Sequence, residues 1–104
     1  TNRLHAGVDL AAATGTPIIA SRGGTVTFVG WMSGYGSTVI VFHGSGVATL
    51  YAHLSAFAVE DGQYIAQGGR LGSVGMTGTA TGPHLHFEVR INGVPQNPCG
   101  YISC

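Results

Sequence analysis

Of the five histidines in the sequence, four fall in three short patterns: His5-x-x-x-Asp9, Tyr51-Ala52-His53-Leu54 and His84-Leu85-His86. Imidazole nitrogen and carboxylate oxygen are donors that a borderline cation such as zinc takes at about 2.0–2.2 Å, and a catalytic site keeps three protein ligands beside one open position. His5, Asp9 and one of His84 and His86 would supply that set. The helical zinc-protease motif, two histidines four apart with an intervening Glu, is absent, so the general base must come from elsewhere and the spare histidines are the candidates. Spacing leaves open which member of the His84/His86 pair is the ligand. Gly7 and the β-branched Val8 between His5 and Asp9 argue against a helix there.

The elements that must carry these side chains read as strands. Period-two alternation over 84–91 sets His84, His86, Glu88 and Arg90 on one face and Leu85, Phe87, Val89 and Ile91 on the other, a site face and a core face. Along 47–53 it aligns Val47, Thr49, Tyr51 and His53 opposite Ala48, Leu50 and Ala52. Further strands are expected near 7–10, 17–20, 24–30, 37–43, 62–65 and 70–75, separated by glycine-bearing turns, with Asn92-Gly93 as a two-residue hairpin tip. Only 54–60 reads as a possible helical turn. The expected fold is all-β, a single small domain over 1–104.

Composition agrees. The 104 residues are 44% hydrophobic and 8% charged, with 18 glycines and no lysine, which excludes a coiled coil or a charged disordered tail. Four Lys+Arg balance four Asp+Glu, so there is no basic surface for nucleic acid or an anionic membrane. The longest apolar run, Val39-Ile40-Val41-Phe42, is far short of the roughly 20 residues that span a bilayer. No leader opens the chain, and the expectation is a form from which any secretion signal or upstream region has been removed. Cys99 and Cys104 read as a disulfide closing a small loop, worth about 2 kcal/mol and favouring an oxidising compartment.

Taken in order, Arg3-Leu4-His5-Ala6-Gly7-Val8-Asp9-Leu10, Thr14-Gly15-Thr16-Pro17, Gly34-Tyr35-Gly36 followed by Val39-Ile40-Val41, Tyr51-Ala52-His53-Leu54 and Thr77-Gly78-Thr79-Ala80-Thr81-Gly82-Pro83-His84-Leu85-His86-Phe87-Glu88 cover almost the whole chain. In these stretches it resembles the lysostaphin/LytM-type zinc endopeptidases of bacterial cell walls. The resemblance implies an antiparallel β-sheet groove with short loops. It implies zinc held by His5, Asp9 and His86, with His53 and His84 catalytic, and peptidoglycan cross-bridges or stems as substrate. A monomer that is secreted or periplasmic is expected, with an upstream propeptide or targeting domain removed. Several relatives of that type carry a tyrosine upstream of the first ligand that donates to the transition state. Here Tyr35, Tyr51 or Arg3 is the expected substitute, or an upstream segment supplies it.

Other residues take plainer readings. Glu88 is expected to be an exposed strand residue beside Arg90 rather than a partner that orients a histidine, and His43 a turn residue. Tyr35, in a turn flanking the groove, is a candidate to line it. The small residues of 76–83 with rigid Pro83 would let a peptide backbone approach closely, Thr79 and Thr81 bonding its carbonyls. The alternative function is a non-catalytic LytM-like domain that binds wall or activates another hydrolase. Such domains typically lack metal ligands, whereas His5, Asp9, His53, His84 and His86 are all present.

Overall fold

The computed structural model describes residues 7–96, and every regular element among them is a strand. In chain order these are β1 (Val8–Ala11), β2 (Pro17–Ile19), β3 (Gly24–Met32), β4 (Gly36–Gly44), β5 (Val47–Ala52), β6 (Leu54–Phe57), β7 (Tyr64–Ile65), β8 (Arg70–Val74), β9 (His84–Ile91) and β10 (Val94–Gln96). The larger sheet runs β1-β9-β5-β4-β3-β7, with β10 also paired to β9, and the smaller runs β2-β8-β6. All pairings are antiparallel, as an all-β chain of short connections requires.

Alternate residues of the central strands enter one core. Phe87 and Val89 of β9, Tyr51 of β5, and Val39 and Val41 of β4 pack with Ile18, Leu54, Leu71 and Val74 of the smaller sheet. A bulge keeps β3 in phase with this pattern. Val26 pairs with Val41 and Phe28 with Ile40, leaving Thr27 as the extra residue, so Val26 and Val29 both reach the core three positions apart.

The segment 54–60 is not a helical turn: Leu54–Phe57 is strand β6. Leu54 is fully buried and pairs with Val74, a long-range contact that outweighs weak local helix preference. The hairpin tip is as expected, with Asn92 at φ 51° and Gly93 at φ 83°, the pair of positive angles a two-residue turn needs. It returns the chain as β10, which the sequence reading did not include. His43 lies within β4 rather than in a turn, its ring bonded to the Gly23 carbonyl and Thr49. Among the described residues no helix is long and apolar enough to cross a membrane. His5, Arg3 and the Cys99–Cys104 pair lie outside the described residues.

Candidate metal centre and catalytic groove

The site lies on the face of the larger sheet turned away from the core. The β1–β9 register sets Asp9 opposite His86 and Ala11 opposite His84, while β5 sets Ala52 opposite His86 and Leu50 opposite Glu88. Asp9 Oδ1 is 2.7 Å from His86 Nδ1 and 3.6 Å from His84 Nε2. Burial alone would raise the Asp9 carboxyl, but the hydrogen bond and charge of His86, then the charge of His84, hold it below the usual carboxylate range.

His53 reaches this face by breaking the alternation. It was expected on the Tyr51 side of its strand; instead β5 ends at Ala52, and His53 takes φ 66°, a left-handed conformation rare outside glycine. Its N–H donates to the Tyr35 carbonyl at 2.9 Å, and its Nδ1 to the Thr77 carbonyl at 2.6 Å. The ring then stands 4.7 Å from that of His84 and 6.1 Å from that of His86, centroid to centroid. His84 Nδ1 donates to the Gly82 carbonyl at 2.9 Å. Because a carbonyl only accepts, both rings carry their hydrogen on Nδ1 when neutral and present an unprotonated Nε2. Burial, and then the neighbouring His84 and His86, push the His53 pKa below its ordinary value despite the Thr77 carbonyl.

Two loops hold this arrangement. Thr77 Oγ1 donates to the Leu54 carbonyl at 2.8 Å and accepts from the Ser37 N–H at 3.0 Å. Gly36, at φ 72°, lies against the Thr77–Gly78 main chain, where a Cβ would collide with backbone. The Thr79 hydroxyl donates to the Gly34 carbonyl at 2.8 Å, so its hydrogen ties loop to loop and is not offered to a peptide. No spacing in the sequence pointed to Thr77.

The largest departure from expectation is Glu88. Its side chain is 0% exposed, not a surface residue. Oε1 accepts from Arg90 Nε at 2.8 Å; Oε2 accepts from Tyr35 Oη at 2.7 Å and from His86 Nε2 at 2.8 Å. Burial pushes the Glu88 carboxyl up, but the bonds from His86, Tyr35 and Arg90 more than offset this and leave it low. Alternation had placed His86, Glu88 and Arg90 on one face, the signal that could have found the cluster. The cover supplied by Tyr35, 53 residues away in sequence, left none.

The expected substitutes for an upstream tyrosine are also placed. Tyr35 Oη is engaged by Glu88 and Arg90. Tyr51 is buried on the core face, its hydroxyl bonded to Ser21 and Thr49. Neither hydroxyl is offered to the groove.

The donor set suits zinc. A carboxylate oxygen and an imidazole nitrogen converge on each other from adjacent strands, and the Asp9 side chain is 54% exposed, which leaves a route from solvent. Among the described residues no group of three His, Cys, Asp or Glu side chains forms a complete site; Asp9 and His86, two of the three expected ligands, are brought together at 2.7 Å.

Residues 3–98 match peptidase family M23. The chain is 55% identical over 98 residues to the DD-carboxypeptidase/endopeptidase Mpg of Neisseria meningitidis serogroup B, an alignment covering 94% of this chain and 23% of that protein. It thus spans about a quarter of that relative's length. The catalytic domain of the antimicrobial peptidase lysostaphin from Staphylococcus simulans superposes with a TM-score of 0.89 at 34% identity, over 94% of this chain and 78% of that one. A zinc-containing peptidase from Vibrio cholerae superposes with a TM-score of 0.83 at 36% identity, over 86% of this chain and 28% of that one.

Proposed function

This chain belongs to peptidase family M23, and we propose that residues 1–104 are a single catalytic domain, a zinc metalloendopeptidase that hydrolyses peptide bonds in bacterial peptidoglycan. The observation that carries the proposal is the convergence of Asp9 and His86 at 2.7 Å beside His53 and His84. His5, Asp9 and His86 are the proposed ligands, and the zinc-containing relative supports the choice of metal. The relative at 55% identity is a DD-carboxypeptidase/endopeptidase, which favours D-Ala cross-links over glycine bridges as the bonds cut. A substrate in the wall makes a secreted or periplasmic location part of the same reading.

Zinc in such a site supplies Lewis-acid polarisation of a carbonyl and a water pKa brought to about 7. The protein's own contribution is positional. His53, kept neutral by burial and held through Nδ1 by Thr77, is suited to accept a proton at Nε2. His84, held in the same sense by Gly82, presents a bare Nε2 suited to accept a hydrogen bond from the attacking water, and the proton that His53 takes up at its Nε2 is the one returned to the leaving amine. Asp9 and His86 are held in register by the β1–β9 ladder, so the geometry is built into the sheet and not into a loop.

The test is mass spectrometry of products from purified sacculi with D-Ala cross-links and with glycine bridges, treated with the protein as isolated, after chelation, and after zinc is restored. Cleavage of the D-Ala cross-link that is lost on chelation and recovered with zinc is the expected result. Cleavage unaffected by complete metal removal would overturn the reading.

A further inference from the structure

Burying a carboxylate costs several kcal/mol unless its lone pairs are filled by well-placed donors. Glu88 is fully buried at the centre of a sheet face, and both its oxygens are filled, by Arg90, Tyr35 and His86. Room for it is made by Gly7, inside the His5-x-x-x-Asp9 motif, where a Cβ would press on the Glu88 side chain and on the Phe87 carbonyl. Arg90 closes the cluster on its other side: Nη2 donates to Tyr35 Oη at 3.2 Å, and the guanidinium lies 5.9 Å from the centre of the Tyr35 ring. The Glu88 and Arg90 charges cancel, so the cluster adds no net charge beneath the metal ligands.

We propose that Glu88 is a positioning residue that, by accepting the Nε2 hydrogen of His86, fixes the ring so that only Nδ1 is offered to the metal, and that Tyr35 and Arg90 hold the carboxylate for this task. The proposal rests on the zinc reading above. An imidazole has two donor nitrogens and a free rotation about its side chain. With Nε2–H committed to Glu88 at 2.8 Å and Nδ1 turned to Asp9 at 2.7 Å, one ring orientation remains. Without metal both nitrogens face acceptor-only carboxylates and both carry hydrogen; a cation bound at Nδ1 would replace that hydrogen and leave the Nε2–H form that Glu88 holds. The same contact ties the groove wall to the metal ligand. Tyr35, whose carbonyl also receives the His53 N–H, shares the Glu88 oxygen that His86 uses, and its ring meets that of His86 edge-on at 5.6 Å.

The experiment measures zinc affinity by competition with a chromogenic chelator and reads the His86 tautomer from long-range proton–nitrogen NMR spectra of the zinc-loaded full chain. The wild type is expected to show zinc on Nδ1 and a slowly exchanging hydrogen on Nε2. Removing such an outer partner lowers metal affinity by about 10-fold to 100-fold. Glu88→Gln, which keeps volume and one acceptor, is expected at the low end of that range, and Glu88→Ala at the high end. Tyr35→Phe is expected to weaken zinc by a smaller factor and to speed exchange of the Nε2 hydrogen. Should Glu88→Ala fail to fold, Glu88→Gln decides. Unchanged zinc affinity and an unchanged Nε2 signal in folded Glu88→Gln, or zinc found on Nε2 in the wild type, would overturn the proposal alone. A wild-type chain that binds no zinc would overturn both this proposal and the reading beneath it.

Discussion

His53 follows the last residue of β5 and His84 opens β9, ends that the antiparallel pairing sets side by side, and their rings stand 4.7 Å apart with each Nδ1 bonded to a main-chain carbonyl, Thr77 for one and Gly82 for the other. Both carbonyls belong to the loop joining β8 to β9, so one connection orients both rings. If they act as a proton-transfer pair, His53→Ala and His84→Ala should each lower turnover by about two to four orders of magnitude while zinc stays at one per chain. Steady-state kinetics with metal analysis of the same samples checks this, and full activity in both variants would remove the mechanism.

The His53 shift sets a direction in pH. Burial, then the charges of His84 and His86, lowers its pKa below 6.5, while the Thr77 carbonyl and Asp9 act the other way without prevailing. The folded chain therefore takes up that proton only at lower pH than the unfolded chain does. Stability from this group is present above the unfolded value and falls as pH drops from about 6.5 towards the folded value. If His53 is the base, its lowered pKa keeps it available below pH 6.5, and the acid limb of kcat/KM should lie on the acidic side of that point. An acid limb on the alkaline side, unmoved in a variant that restores exposure around the ring, would count against His53 as the base.

How much of this was legible in the sequence depends on whether the cause was local. The β9 faces followed from period two alone, because Phe87 and Val89 must meet the core and the intervening residues must not. The Asn92-Gly93 tip followed from the positive φ those residue types accept. His53 was identified as a site residue, but its route to the site was hidden. One left-handed residue reverses the side a chain presents, and no alternation rule anticipates it. Glu88 was misread for a related reason. Its neighbours along the strand were visible, whereas the residue that covers it, Tyr35, arrives from the β3–β4 turn. Strand β6 was missed because its pairing with β8 is non-local.

Thr77 tests whether the loop acts through its anchors. Replacing it with Val removes the donor to the Leu54 carbonyl and the acceptor for the Ser37 N–H, both partly buried, at a cost of roughly 1–3 kcal/mol. The His53 ring depends on the same residue's carbonyl, so kcat should fall with little change in zinc content. Denaturant unfolding and steady-state kinetics on one preparation check both. A stability loss with kcat intact would show that the carbonyl stays in place without the hydroxyl, and that Thr77 is an anchor of the fold alone.

Tyr51 gives the complementary case, a polar cluster placed to stabilise without touching the chemistry. Its hydroxyl accepts from the Ser21 N–H at 3.0 Å and bonds Ser21 Oγ at 3.1 Å and Thr49 Oγ1 at 2.9 Å. Thr49 in turn bonds His43, whose other nitrogen meets the Gly23 carbonyl, so one chain of contacts links β5, β4 and the loop before β3. Tyr51→Phe removes the middle of that chain and leaves the buried Thr49 hydroxyl and the Ser21 N–H short of a partner, which should cost roughly 1–3 kcal/mol. Because Tyr51 packs on the core face, against Phe87 and away from His86, kcat and zinc affinity should be unchanged. Thermal unfolding and turnover measured together decide the matter. A large fall in kcat at preserved stability would mean that the tyrosine hydroxyl reaches the reacting peptide after all, and that the groove closes around substrate in a way that brings the core face into the site.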